Sequence, residues 1–281
     1  MPELPEVETI VRDLRPRLAG RTIRHPRLHH SDVLRAVSAR RLLSTLDGNR
    51  IEAVGRRAKH AVLLLGSGHR LVIQPRMTGS LLVYAGRLRA DERRYAVLEA
   101  SIGRGERFVF RDVRRLGTIW LLDARAWEAY DAAIGPEPLD DGFGPEEFAE
   151  RLRHSRQAVK KVLMDQRRLA GVGNIYTNEA LFRAGVDPSR PACRLAAADY
   201  AALYEAVRTI LRDAIGERGT TVRDYRTGTG QAGSYQFVLQ VYGRGGEPCP
   251  RCGARLVTTH AIDGRATTFC WRCQGTSTDA G

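Results

Sequence analysis

Four cysteines near the C-terminus constrain this chain more than any other feature. Cys249, Cys252, Cys270 and Cys273 stand in the pattern C-x2-C-x17-C-x2-C. Each knuckle offers two thiolates, and two knuckles complete a tetrahedral shell for zinc. Pro250 and Gly253 supply turn residues, and Arg255 to Phe269 reads as a hairpin turning at Asp263-Gly264. Four thiolates leave no open position for water, so one structural zinc ion per chain is expected. Two disulfides are the competing reading, and they belong to oxidising compartments. The fifth cysteine, Cys193, stands alone and reads as a small buried or half-buried side chain.

The start, Met1-Pro2-Glu3, is acidic early and unlike a secretory signal. Apolar runs such as Ala61 to Leu65 are strand-sized, far short of the ~20 residues that cross a bilayer. The expectation is a cytoplasmic protein with no membrane partner. Its 281 residues suggest about two domains at roughly 100–200 residues each. Lys and Arg number 45 against 32 Asp and Glu, a net charge of +13 that favours a polyanion, nucleic acid first. A merely basic enzyme is the bland alternative. Only three of the basic residues are lysines, Lys59, Lys160 and Lys161, so each surviving amine draws attention.

Hydrophobic spacing divides the chain. Pro5, Val7, Ile10, Val11 and Leu14 predict a helix over 5–15, closed by Gly20. Short strands follow at 61–65, 71–73, 80–84, 95–99, 108–110 and 118–122, separated by glycine turns, which argues for a β-sandwich or barrel. A Pro- and Gly-rich linker, 135–145, leads into helices at 145–153, 156–166, 175–184 and 197–216. A Gly-rich stretch, 219–233, then precedes an expected last strand, Tyr235–Tyr242, and the zinc ribbon.

Pro2 carries chemistry if Met1 is removed. A free α-amine titrates near 7.7–8.0, well below lysine, so much of it is nucleophilic at neutral pH. A secondary amine attacking a sugar C1′ can form an iminium ion. Glu3 and Glu6 lie at the helix start, where the dipole favours carboxylates and where they can serve proton transfer beside the amine. Ordinary helix capping is the competing reading.

Three blocks now carry a resemblance. They are the opening Met1-Pro2-Glu3-Leu4-Pro5-Glu6-Val7-Glu8-Thr9, the run Met164 to Ala180 around Gly171-Val172-Gly173-Asn174, and the ending Val241-Tyr242-Gly243-Arg244 with the four cysteines and Gly264-Arg265-Ala266-Thr267. In this order, over residues 2 to 274, the chain resembles the formamidopyrimidine-DNA glycosylase family. The resemblance implies an α+β multidomain protein: an N-terminal β-sandwich with an N-terminal helix, a helical helix–two-turn–helix domain and a C-terminal zinc β-ribbon. The expected bounds are 2–134, a linker 135–145, 146–240 with a lesion-capping loop 219–233, and 241–275.

The resemblance also implies a function. That function is a monomeric, nucleoid-associated bacterial glycosylase and AP lyase of base-excision repair, acting on damaged double-stranded DNA without a redox cofactor. It would excise 8-oxoguanine and formamidopyrimidines, then cut the strand by β,δ-elimination through a Pro2 Schiff base. Glu3 would be the general acid/base and Glu6 an organiser of the site. Lys59 would lie against the damaged base or its flanking phosphate. Lys160 and Asn174 would hold phosphates of the kinked strand, and Arg265 would grip those around the extruded nucleotide. An extruded base leaves a gap to be filled. The family's three-residue wedge is matched by Met77, Arg114 and Leu116, the arginine reading the opposite base. Leu116 replaces a usual aromatic residue, and Gln74 replaces a histidine often found three positions before the wedge methionine. Met and Leu near strands are more often core, which competes with the wedge assignment. Two further readings stand beside this one. Endonuclease VIII-type enzymes for oxidised pyrimidines share the architecture, but usually open Pro-Glu-Gly-Pro-Glu, whereas Leu4 here points to the purine branch. A non-catalytic zinc-ribbon DNA-binding protein would not need the Pro2-Glu3 pair.

Overall fold

The computed structural model describes residues 1–86, 88, 90–221 and 225–275. The chain forms two compact units, residues 1–133 with 215–236, and residues 134–214 with 237–281.

The first unit opens with α1 (Leu4–Leu18), longer at both ends than its apolar spacing predicts. Among the described residues it carries eight strands: β1 (Arg24–Leu28), β2 (Ile51–Arg57), β3 (His60–Leu65), β4 (Arg70–Gln74), β5 (Gly79–Ala85), β6 (Ala96–Ser101), β7 (Glu106–Asp112) and β8 (Thr118–Leu122). They build two antiparallel sheets, in the orders β1-β6-β7-β5 and β2-β3-β4-β8. In β3, Ala61, Leu63 and Leu65 point inward while their neighbours are half-buried, the period of two that a covered sheet face imposes. Both sheets and α1 share one core, with Val7, Ile10, Val11 and Leu14 against Val54, Leu63, Ile73, Leu81 and Phe110. Helices α2 (Ala39–Leu46), α3 (Ala90–Arg93) and α4 (Ala124–Ala132) complete the unit. Strands β1 and β2 and helix α2 are not predicted by the sequence, and β1 is poor in apolar residues. In β1 the pattern Arg-His-Pro-Arg-Leu holds one aliphatic side chain.

The second unit holds α5 (Pro145–Arg153), α6 (Val159–Met164), α7 (Asn174–Ala184) and most of α8 (Ala197–Gly216). Its hairpin, β9 (Val257–Thr259) with β10 (Thr267–Phe269), is antiparallel as the sequence predicts. Two expectations fail. The strand Tyr235–Tyr242 is absent: Tyr235–Phe237 is a single 3-10 turn, and the N–H groups of Gln240, Val241 and Tyr242 donate to the Glu179 carboxylate at 2.8–2.9 Å. A buried carboxylate thus satisfies donors that a ladder would otherwise take. Cys193 is exposed, because it sits on the short turn Ala192–Arg194 beside a cavity of about 520 Å³ lined also by His154 and Tyr200.

Candidate active site and nucleic-acid contacts

In the first unit, Glu3 caps α1 and Pro5 occupies its first turn, where the missing N–H costs nothing. Pro2, Glu3 and Glu6 are all buried. Glu6 is held from two sides: Oε2 accepts from Glu3 N at 2.7 Å, and Oε1 accepts from Thr220 N at 2.7 Å. One carboxylate therefore ties the N-terminal segment to the start of the 219–233 stretch. Gly219 fits there because a Cβ would lie 2.9 Å from Glu6 Oε1, and its φ of +83° suits glycine. Tyr225 lies within 3.2 Å of the Glu6 and Arg218 carbonyls, and burial pushes its hydroxyl pKa up, so it acts as a donor. Described parts of this stretch are thus anchored on α1. Residues 222–224 of the expected capping loop lie outside the described residues.

Lys59 sits in the two-residue turn between β2 and β3, and is buried. Arg56 sets that turn: Nε donates to Glu8 Oε2 of α1 at 3.0 Å and a terminal nitrogen donates to Ala58 O at 3.0 Å. Burial pushes the Glu8 carboxyl up, but its bonds with Arg12 and Arg56 outweigh this and hold it low. His60, next in sequence, has its pKa pushed down to about 4, chiefly by burial, and is neutral at physiological pH. It therefore adds no second cation beside Lys59.

Met77 and Leu116 are surface residues, 44% and 36% exposed, and Arg114 is exposed too. The competing reading of both apolar residues as core does not fit. Their loops join the two sheets: 75–78 leads from β4 to β5, and 113–117 from β7 to β8. Gln74, the residue in place of the histidine, accepts from Arg76 Nε at 3.2 Å. Among the described residues, few non-glycines take positive φ, yet Ala58, Arg76 and Arg115 do so beside Lys59, Met77 and Arg114.

In the second unit, the four cysteine Sγ atoms lie within 4.8 Å of one another, with Cys249–Cys273 at 3.8 Å and Cys252–Cys270 at 3.5 Å. Zinc–sulfur bonds of about 2.3 Å in a tetrahedron need sulfur separations near ~3.8 Å, so the set fits zinc. Arg251 N and Cys273 N point at Cys249 and Cys270 sulfurs at 3.4 Å, as befits thiolates.

The ribbon brings three sequence-predicted residues, Lys160, Asn174 and Arg265, to one corner. Lys160 is fully buried, and its Nζ donates to Asp263 Oδ1 at 3.1 Å and Thr267 Oγ1 at 2.7 Å. Its ammonium is thereby held against the hairpin that carries Arg265. Burial pushes its pKa down, against the pull of Asp263. Asn174, half-buried at the start of α7, donates to Ala266 O at 3.0 Å. Arg265 is the exposed member, its side chain 62% accessible and its backbone N–H held by Asp263 at 3.1 Å. Sequence reading missed Asp263 and Thr267 as its supports. The Asp-Gly pair signalled only a turn.

Pro2 with the buried Glu3 and Glu6 in one unit, and a four-cysteine ribbon presenting an arginine in the other, are the arrangement of zinc-ribbon DNA glycosylases with AP lyase activity, a class that works in base-excision repair. Three family models match: the formamidopyrimidine-DNA glycosylase N-terminal domain over 1–119, its H2TH domain over 134–226, and the zinc finger found in FPG and IleRS over 246–275. The formamidopyrimidine-DNA glycosylase of Chloroflexus aggregans is 44% identical over 276 residues, 98% of each chain. That of Thermomicrobium roseum is 43% identical over 98% of this chain and 99% of its own. Among solved structures, MutM (FPG) from Thermus thermophilus superposes with a TM-score of 0.85 at 36% identity, covering 98% of this chain and 99% of that one. The Lactococcus lactis Fpg complex with abasic-site DNA gives 0.88 at 32%, covering 97% and 99%. The chain belongs to the formamidopyrimidine-DNA glycosylase family, binds DNA and carries one structural zinc.

Proposed function

We propose that the protein removes oxidised purines, 8-oxoguanine and formamidopyrimidines, from duplex DNA and then cuts the strand by β,δ-elimination through a Schiff base on Pro2. Once Met1 is gone, the Pro2 nitrogen is the nucleophile at C1′. Glu3 is the general acid/base. The observation that carries the assignment is the burial of both carboxylates beside Pro2, with Glu6 fixed by the backbone N–H groups of Glu3 and Thr220 as an organiser of the site. Lys59 meets the lesion or its flanking phosphate, and Met77, Arg114 and Leu116 fill the gap left by the extruded base. Arg265 and Asn174 hold phosphates of the kinked strand, and Lys160 serves that contact through the hairpin it supports. Residues 2–134 form the catalytic domain, 146–240 the helix–two-turn–helix domain with its 219–233 capping loop, and 241–275 the ribbon, after a linker at 135–145. The working form is a monomer of the bacterial cytoplasm and nucleoid, without a membrane partner. Its net charge of +13 favours a polyanion such as the DNA of the nucleoid.

The test is covalent trapping. Borohydride should fix the protein to an oligonucleotide containing 8-oxoguanine, with the adduct on Pro2. Pro2→Gly should lose most activity and still bind DNA. An adduct on Lys59, or none in an active preparation, defeats the mechanism.

A further inference from the structure

The loops 75–78 and 113–117 run as a pair. At one end Gln74 of β4 stands opposite Thr118 of β8, and at the other Gly79 of β5 stands opposite Asp112 of β7. Both loops thus leave one sheet and enter the other at the same edge. Their tips are exposed at Met77, Val113 and Leu116, while their base is buried. Asp112 is 1% exposed and Thr78 6%.

The base is knit by one carboxylate. Thr78 Oγ1 donates to Asp112 Oδ1. Arg114 N donates to Thr78 Oγ1 at 3.1 Å and to Asp112 Oδ1 at 3.3 Å. Gly117 N donates to Asp112 Oδ2 at 2.7 Å. The donors on Asp112 therefore come from the residue after Met77, from Arg114 itself and from the residue after Leu116. Close approach is built in as well. A Cβ on Gly79 would lie 2.2 Å from Pro75 O, and one on Gly117 2.7 Å from Phe110 Cζ and 2.9 Å from Gln74 O. Neither glycine takes positive φ, so at both positions the demand is for space.

We propose that Asp112, acting with Thr78, is a positioning residue that sets the reach of Arg114, Met77 and Leu116 together, and thereby the enzyme's choice of opposite base. This rests on the proposed role of those three residues in the gap. Asp112 is buried and does not itself touch DNA. It acts by fixing the backbone N–H on either side of the exposed turn, where Arg115 holds a φ of +51°. Thr78 supplies the link between the loops. Without its hydroxyl, Arg114 N loses one acceptor, and the methionine loop loses its side-chain tie to Asp112. An arginine reading a base edge needs its fork placed closely, since bidentate geometry carries the discrimination.

The experiment measures kcat/KM on duplexes with 8-oxoguanine opposite cytosine and opposite adenine. Thr78→Val keeps the shape and removes the hydroxyl. It should lower the cytosine-to-adenine ratio about fivefold, the worth of one net hydrogen bond. Thr78→Ser should keep the ratio, which a purely packing role would not explain. Asp112→Asn, which turns a donor toward donors, should lower the ratio further. Arg114→Ala is the control for the underlying reading. If Arg114→Ala collapses the ratio and neither Thr78→Val nor Asp112→Asn moves it, the positioning role is wrong and the reading of Arg114 stands. If Arg114→Ala leaves the ratio intact, that reading fails and the inference with it.

Discussion

The two units hold their exposed arginines by opposite means. Arg265 rides on a hairpin pinned by a four-thiolate metal shell, a buried Lys160–Asp263 pair and the Asn174 amide. Arg114 rides on a loop held through backbone N–H groups gathered on one aspartate. The difference follows from size. Strands β9 and β10 have three residues each and little core of their own, with Val241, Leu256 and Phe182 packed around the cysteines. Such a module needs a metal to fold. The loops 75–78 and 113–117 spring from two four-stranded sheets with a shared core, so a single clasp suffices.

Removing the metal should therefore cause the largest effect. Structural zinc binding in finger peptides is worth about 10–16 kcal/mol and is largely folding energy. Cys252→Ser should lose zinc by elemental analysis and lose tight duplex binding. Zinc-free protein that binds and cleaves normally would break the contrast between the units.

The buried lysine sharpens it. Breaking a buried pair from one side leaves an uncompensated charge and costs about 3–5 kcal/mol. Lys160→Met should lower stability by that order in denaturant melts, since Asp263 is 7% exposed. The salt dependence of DNA binding separates support from contact. A residue on a phosphate lowers the slope of log K against log salt by about 1 when removed. Arg265→Ala should show that drop with little change in stability. Lys160→Met should show the stability loss with an unchanged slope. A reduced slope for Lys160→Met would restore its ammonium to the phosphate.

These contrasts explain what is legible in the sequence. The cysteine pattern announces the ribbon because metal geometry is encoded in spacing. Strand β3 is legible because its inward residues face a core on a period of two, and β4 and β8 because they are short, almost wholly buried apolar runs. The resemblance matches Lys160 to a phosphate-holding position, but its support of the hairpin is not legible in the sequence, because Asp263 and Thr267 lie more than a hundred residues away. Asp112 stands beside the wedge arginine in the sequence, yet its role depends on a loop entering from another strand pair. Glu179 turns an apolar alternation at 235–242 into irregular chain by taking its donors. In each of these cases the missing information is a tertiary partner for a polar group.

Leu116 offers the smallest effect and the finest test. Extruding a purine leaves neighbouring bases without a stacking partner. An aromatic side chain in the gap can stack on them, and base–aromatic stacking is worth about 1–3 kcal/mol by alanine substitution in single-strand binders. Leucine fills space as an apolar wedge but has no π-face. At 36% exposure the Leu116 side chain has room to grow outward, and its neighbour Gly117 already carries the hydrogen bond to Asp112. Phenylalanine should therefore leave the clasp intact. Leu116→Phe should tighten binding to lesion-containing duplex about fivefold, at the low end of that stacking range. Its melting temperature should stay near wild type, as surface changes usually cost within about 0.5 kcal/mol. The order of preference among opposite bases should not change, since the proposed reader of that base is Arg114. Were Leu116 packed as core, the larger ring would cost about 1–3 kcal/mol of stability. A lower melting temperature with no gain in binding would remove Leu116 from the wedge and leave Met77 and Arg114 to fill the gap.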